Sequence, residues 1–317
     1  MKVIRKPGIS GNILATLAIG DVYLDNFNKY ALPSWLAYCD KFDLGLVIFD
    51  QHLIDVNHEN WKKPNWQKLL IGECLKVLKQ SIRNVCHLDT DILISPLAPN
   101  IFDFHEPKKI SVVSQINNLP YPEEHIKRSI AFNRHNFYSS DYPLDSALFA
   151  SLDQVYGYHN LPSQTDYFCT GVYIFNLENH STMMAEWFYK YPKNIKTLTN
   201  GGEEAVLNYE LQKYGELNKL SYEFQALWNY EMAWKYPFLY WNRGKSDDSL
   251  IGQCILSSLL SNHFLHFAGS WYESDMWKIP EIFNKKMIDY FQSYGDYLRK
   301  DLTGIPVGMI KPQTLIK

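Results

Sequence analysis

Apolar residues in this chain fall in short unbroken runs, with polar residues gathered between them. Ile13-Leu14-Ala15-Thr16-Leu17-Ala18-Ile19, closed by Gly20-Asp21, predicts a strand buried on both faces with a loop at its carboxyl end. Leu44 to Asp50 predicts a second such strand, Asn84 to Ile94 a third, Ile110 to Ile116 a fourth and Tyr167 to Leu177 a fifth. A helical segment fills Val22 to Phe42, interrupted near Pro33. Another spans Trp66 to Ser81, with Trp66, Leu70, Cys74, Val77 and Leu78 inward and Lys68, Lys76, Lys79 and Gln80 mostly outward. Asn117 to Thr165 loses its period and reads as an irregular, partly helical insertion over the sheet. Helices are expected again at Met183 to Tyr191 and Glu203 to Tyr214, a short strand or loop at Phe264 to Gly269, and an amphipathic helix from about Pro280 to Leu298.

Strands alternating with helices predict an α/β fold with an open, mostly parallel sheet flanked by helices. Such sheets bind ligands beyond the carboxyl ends of their strands. Gly20-Asp21, Asp50 and Asp89-Thr90-Asp91 all fall at such ends. No repeat, low-complexity tract or linker divides the chain.

Composition narrows the function classes. A net charge of −3 gives no electrostatic case for nucleic acid. Aromatic residues make up 15%, and rings with polar edges suit sugar surfaces as well as cores. The five cysteines have no paired spacing, which predicts reduced, buried thiols in a cytoplasmic protein. No apolar run long enough for a signal peptide follows the first charges, and none reaches the length of a membrane span. At most, peripheral membrane association is expected.

The candidate chemistry centres on Asp89 and Asp91. In extended backbone, residues i and i+2 share a face, so two carboxylates can aim at one hard cation. With 19 Asp in the chain, chance supplies about one Asp-x-Asp, and the bland alternative is a solvated strand end. The setting favours a site, because a helix and a buried strand precede the pair and Ile92 to Ile94 follows at once.

Five segments, in order, resemble glycosyltransferase family 8, the GT-A-fold family of glycogenin and the lipopolysaccharide galactosyl- and glucosyltransferases. Ala15 to Tyr23 resembles the family's first strand and loop, and Trp66-Gln67-Lys68-Leu69 lies where a basic residue precedes the metal motif. His87 to Ile94 resembles the metal motif itself. Cys169 to Asn176 resembles the Asn-x-Gly-x-x-x-x-Asn strand, and His266-Phe267-Ala268-Gly269 the C-terminal His-x-x-Gly. The resemblance runs from about residue 12 to 272 and implies a GT-A (Rossmann-like) domain over residues 1–275. Residues 276–317 would then be a C-terminal helix and tail packed on it or extending from it.

What the resemblance implies is transfer of a hexose from a nucleotide diphosphate sugar, a UDP-sugar foremost, to a saccharide or glycolipid acceptor, with retention. Asp89, Asp91 and His266 would bind Mn²⁺, or else Mg²⁺. Ala18, Gly20, Asp21, Tyr23, Lys68, Asp89, Thr90, Gly171 and Gly269 would hold the donor, while Glu203, Glu204 and Lys68 would serve catalysis. Two departures stand out. The family's Lys-Pro-Trp after His-x-x-Gly is Ser270-Trp271-Tyr272 here, leaving Lys278, Arg243 or Lys68 as the phosphate cation. The family's Asp-Gln pair appears as Glu203-Glu204.

Each residue also has a plainer reading: a core histidine at 266, a solvated lysine at 68, a helix-dipole partner at Glu203, a bulge glycine at 171. Competing functions are a non-catalytic carbohydrate-binding protein on the same frame and a phosphatase of the haloacid dehalogenase type. The aromatic segments Pro120 to Leu161 and Tyr222 to Asp248 are candidate acceptor walls, or else core or a subunit interface.

Overall fold

A computed structural model describes residues 1–78, 81–117, 119–137, 151–193, 195, 202–241, 244–269 and 272–278. The expected helix at 280–298 and the candidate cation Arg243 lie outside these residues. Strands β1 (Lys2–Arg5), β2 (Asn12–Leu17), β3 (Gly45–Phe49), β4 (Asn84–Leu88), β6 (Ile110–Ser114), β7 (Phe168–Asn176) and β8 (Leu217–Leu220) form one sheet in the order β1-β3-β2-β4-β7-β6-β8. Strands β2, β3, β4, β6 and β8 run one way, and β1 and β7 run the other. A second, small sheet joins β5 (Ile92–Ile94), β10 (Phe264–His266) and β9 (Ala226–Leu227).

The unbroken apolar runs become strands covered on both faces. Leu14, Leu46, Cys86, Leu88, Val172 and Ile174 enter one core, while Ile13, Ala15, Val47, Phe49, Val85, Tyr173 and Phe175 enter the other. Alternate side chains of each strand thus go to opposite cores, as the two-residue period requires. Helices α1 (Asp21–Asn26), α2 (Leu32–Phe42), α3 (Pro64–Gln67) and α4 (Ile71–Lys76) link the early strands. Then come α5 (Glu123–Phe137), α6 (Leu152–Tyr158), α7 (Leu177–Lys190) and α8 (Glu204–Tyr214). Last are α9 (Trp228–Lys235), α10 (Phe238–Trp241) and α11 (Asp248–Ser261). Because β2 lies between β3 and β4, the chain passes from β2 to β3 on one side and returns to β4 on the other, a switch of direction at whose carboxyl end such sheets place their ligands.

Three local expectations change. The interruption expected near Pro33 falls just before it, at Phe27–Ala31, where a widened π turn joins α1 to α2 and the proline withholds its N–H. The helix expected over Trp66 to Ser81 tightens into a 3₁₀ turn at Lys68–Leu70. Lys68 is buried and Val77 is 75% exposed, the reverse of the expectation for these two, whereas Trp66 and Leu70 face inward as expected. Asp89-Thr90-Asp91 is not continuous strand either. It is the turn between β4 and β5, which belong to different sheets.

Candidate active site

The main-chain scaffold of the site is the turn at Asp89 to Asp91, held at both ends. The Asp89 N–H donates to Gly171 O at 2.9 Å, and the Phe267 N–H donates to Asp91 O at 3.0 Å. These bonds tie the turn to β7 on one side and to the end of β10 on the other. The carboxylates therefore converge because a turn between two sheets brings them together with His266, not because a strand alternates. Asp89, Asp91 and His266 offer ligand atoms within 4.8 Å of one another. His266 Nε2 stands 3.2 Å from Asp91 Oδ1 and 3.9 Å from Asp89 Oδ2.

Gly171 makes this approach possible. A Cβ there would lie 2.3 Å from His266 Cε1, 2.8 Å from His266 Nδ1 and 3.0 Å from Asp89 Oδ2. Ordinary carbon contacts need about 3.5–4.0 Å, so the position admits only hydrogen. This is close packing of the site against backbone, in a stretch of β7 where the pairing with β6 also slips register.

A charged network supports Asp89 from below. Lys68 Nζ forms an ion pair with Glu203 Oε1 at 2.9 Å and donates to Thr170 O at 3.2 Å and Asp89 Oδ1 at 3.4 Å. Thr170 Oγ1 also donates to Glu203 Oε1, at 2.7 Å. Burial alone would lower the Lys68 pKa, but Asp89 and Glu203 outweigh it and hold the ammonium well above the usual lysine value. Burial likewise opposes charge on Asp89, yet Lys68 and His87 keep its carboxyl below the ordinary carboxylate range. A lone charge at this depth costs several kcal/mol, and the network exists because each charge is matched. An ammonium has three hydrogens, and four oxygens, Thr170 Oγ1 at 3.5 Å included, already surround it. Contact between Lys68 and a phosphate requires it to release one of them.

The imidazoles have supports of their own. His87 Nε2 lies 3.1 Å from Asp89 Oδ1, its ring packs 4.9 Å from that of Tyr173, and its Nδ1 is buried without a partner. Burial lowers the His87 pKa, and the Asp89 hydrogen bond only partly offsets this. His266 Nδ1 is flanked by Gln225 Nε2 at 3.2 Å and Cys169 Sγ at 3.5 Å. Gln225 Oε1 is buried with no partner. Turning that amide over lets Oε1 accept from Nδ1–H, the arrangement that leaves the Nε2 lone pair free for a cation.

The remaining predicted residues lie at separate places. Ala18 is buried, its N–H bonded to Phe49 O at 2.8 Å, and Gly20 adopts the positive φ of 99° that starts α1. Asp21 and Tyr23 stand exposed at the carboxyl end of β2. Thr90 is half-buried in the turn, and Gly269, with φ 92°, turns the chain after β10. Glu203 joins the Lys68 network, whereas Glu204 accepts from Gln115 Nε2 at 2.9 Å. Lys278 pairs with Asp275 at the surface. Sequence reasoning gave no role to His87, Gln225 or Cys169. Only His87 carried a signal, since it stands two residues before Asp89 on the same strand face.

No protein-family model matches the chain, and no curated protein does. Solved structures similar to it include three glycosyltransferases. A glycosyltransferase involved in the glycosylation of the major capsid of PBCV-1 is 8% identical over 84% of this chain and 98% of its own, with a TM-score of 0.47. The WbbM bifunctional glycosyltransferase, in its apo form, is 12% identical over 91% of this chain and 52% of its own, with a TM-score of 0.45. This chain therefore spans about half of WbbM's length. The galactosyltransferase LgtC, in complex with donor and acceptor sugar analogues, is 12% identical over 94% of this chain and 98% of its own, with a TM-score of 0.44.

Proposed function

We propose that the chain is a glycosyltransferase that uses a divalent cation to move a hexose from a UDP-sugar to a saccharide or glycolipid acceptor, retaining anomeric configuration. The observation that carries this reading is the convergence of Asp89, Asp91 and His266 at the strand ends. Their donor set fits a cation. Two carboxylates and one imidazole suit Mn²⁺ better than Mg²⁺, and Asp91 Oδ1 is buried with no hydrogen bond to satisfy it. Held there, the cation supplies Lewis-acid stabilisation of a diphosphate leaving group.

The chain's own residues prepare the site. Lys68 and His87 fix the Asp89 carboxylate, and Glu203 with Thr170 fixes Lys68. Gln225 and Cys169 orient the His266 ring, and Gly171 leaves it room. The loop after β2 presents the Tyr23 ring, 65% exposed, as a surface on which a uracil can stack. Retention is carried by the family 8 resemblance.

Slow hydrolysis of a donor panel tests the reading without knowledge of the acceptor. UDP-glucose, UDP-galactose and UDP-N-acetylglucosamine are incubated with the protein in Mn²⁺, and released UDP is measured. At least one donor is expected to be cleaved, and EDTA to abolish the cleavage. No cleavage of any donor, or equal cleavage in EDTA, overturns the proposal.

A further inference from the structure

Helix α5 faces α9 and α10 across a cavity of about 410 Å³, within the size range of small-ligand pockets. Its lining includes the rings of Phe132, Tyr240 and Trp241, with Asn133, Ser129 and His125 set among them. The Phe132 and Trp241 rings lie 5.7 Å apart and are 47% and 68% exposed. Asn133 is the opposite case. It is only 6% exposed and borders the cavity.

We propose that this cavity is a pyranoside subsite that binds part of the saccharide acceptor; the assignment rests on the glycosyltransferase reading above. A pyranose has apolar C–H faces and a rim of hydroxyls. Phe132 and Trp241 offer ring surface to the first, and the Asn133 amide offers two donors and an acceptor to the second. Ser129 and His125 add further polar atoms to the wall. Arg128, also at the wall, is paired with Glu124, so no unpaired guanidinium makes this a site for an anion. A neutral sugar fits the set.

The walls are carried by elements that follow strands neighbouring those of the metal cluster. Helix α5 follows β6, on the edge where Gln115 meets Glu204. Helix α9 follows β9, the parallel partner of the strand that bears His266. Tyr240 donates its hydroxyl to Glu273 at 3.1 Å, in the segment after Gly269. The exposed rings of Trp234, Phe238 and Trp241 would also suit a membrane surface. The concave cavity with polar groups in its wall favours a sugar, because a flat bilayer contact fits neither.

The test titrates the full chain with methyl α- and β-glycosides of glucose, galactose and N-acetylglucosamine, read by saturation-transfer NMR. UDP affinity in Mn²⁺ is measured on the same preparation. At least one glycoside is expected to bind saturably. Trp241→Ala and Asn133→Leu should each weaken it tenfold or more with UDP affinity unchanged. Trp241 is exposed, so its variant stays informative where Asn133→Leu does not fold. No saturable glycoside, or wild-type glycoside affinity in Trp241→Ala, overturns the subsite. Binding to anionic vesicles that Trp241→Ala abolishes, with no glycoside bound, overturns it in favour of a membrane contact. Failure to bind UDP with Mn²⁺, while glycosides behave as expected, sinks the proposed function and leaves the subsite standing.

Discussion

Gly171→Ala isolates the steric requirement of the metal cluster. Gly171 does not occupy the left-handed backbone region, so alanine introduces no conformational strain there. The whole effect comes from one methyl group placed 2.3 Å from His266 Cε1. Restoring a contact of about 3.5 Å moves the ring by roughly 1 Å, whereas metal–ligand distances tolerate only about 0.2 Å. Gln225 and Cys169 stand behind the ring and oppose that retreat. Overpacking of this kind costs about 1–3 kcal/mol, and displaced ligand supports typically cost 10–100-fold in metal affinity. Gly72→Ala is a matched control, since its Cβ would meet Ser181 Oγ at the same 2.3 Å, in the α4–α7 packing and outside the cluster. Both variants should melt earlier. Only Gly171→Ala should lose the increment that Mn²⁺ adds to UDP affinity, measured by calorimetry with and without the ion. If Gly171→Ala keeps that increment, or Gly72→Ala loses it equally, the cluster is not the metal site.

Other expectations follow from neighbouring residues. Asp91→Asn and His266→Ala should each reduce UDP affinity in Mn²⁺ and leave metal-free affinity nearly unchanged; a His266→Ala protein that melts early yet keeps the Mn²⁺ increment would make His266 a core residue only. UDP should bind more tightly than GDP or CDP in Mn²⁺, and equal affinities would remove the uracil reading of the Tyr23 loop. His87→Phe removes the buried, unpartnered Nδ1 along with the bond to Asp89, so the melting temperature should hold while Mn²⁺ affinity, followed by electron paramagnetic resonance, falls about tenfold or more. Unchanged Mn²⁺ affinity there would reduce His87 to packing. Burial lowers the Lys62 pKa from 10.5 to about 8, so between those values the unfolded chain holds a proton that the native one lacks. Stability relative to Lys62→Met should therefore rise as pH increases from 8 to 10.5, by at most about 3 kcal/mol. A pH-independent difference in urea midpoints would contradict that burial penalty.

The runs at Ile13 to Ile19 and Leu44 to Asp50 were legible because burial on both faces leaves no polar position, and each became a strand of the central sheet. The sequence also pointed to Asp89, Asp91 and His266, which do meet. It could not show how they meet, since a turn between two sheets and a strand with no alternation of its own are tertiary facts. Lys68 was misplaced outward because its buried partners, Asp89 and Glu203, come from segments far along the chain that no local spacing announces. Helix α11 went unread: its buried side, Ile251, Cys254, Ile255 and Leu259, is interleaved with serines that blur the polar face. The supports Gln225 and Cys169 were invisible in the sequence, because a second layer is chosen by proximity in space rather than spacing along the chain.

The Lys68 network joins four segments far apart in sequence, at residues 68, 89, 170 and 203, and His266 adds a fifth. Contacts of such separation carry a high loop-closure entropy and form late, with the global fold rather than with any local unit. An unfolded or half-folded chain therefore presents no preassembled cation site. An ion that binds the cluster binds the native state alone, and by mass action adds about 2.7 kcal/mol of stability at one hundred times its dissociation constant. Heat denaturation in a series of divalent cations thus becomes a way to rank the ions, needing neither donor nor acceptor, with the Asp91→Asn protein as the blank.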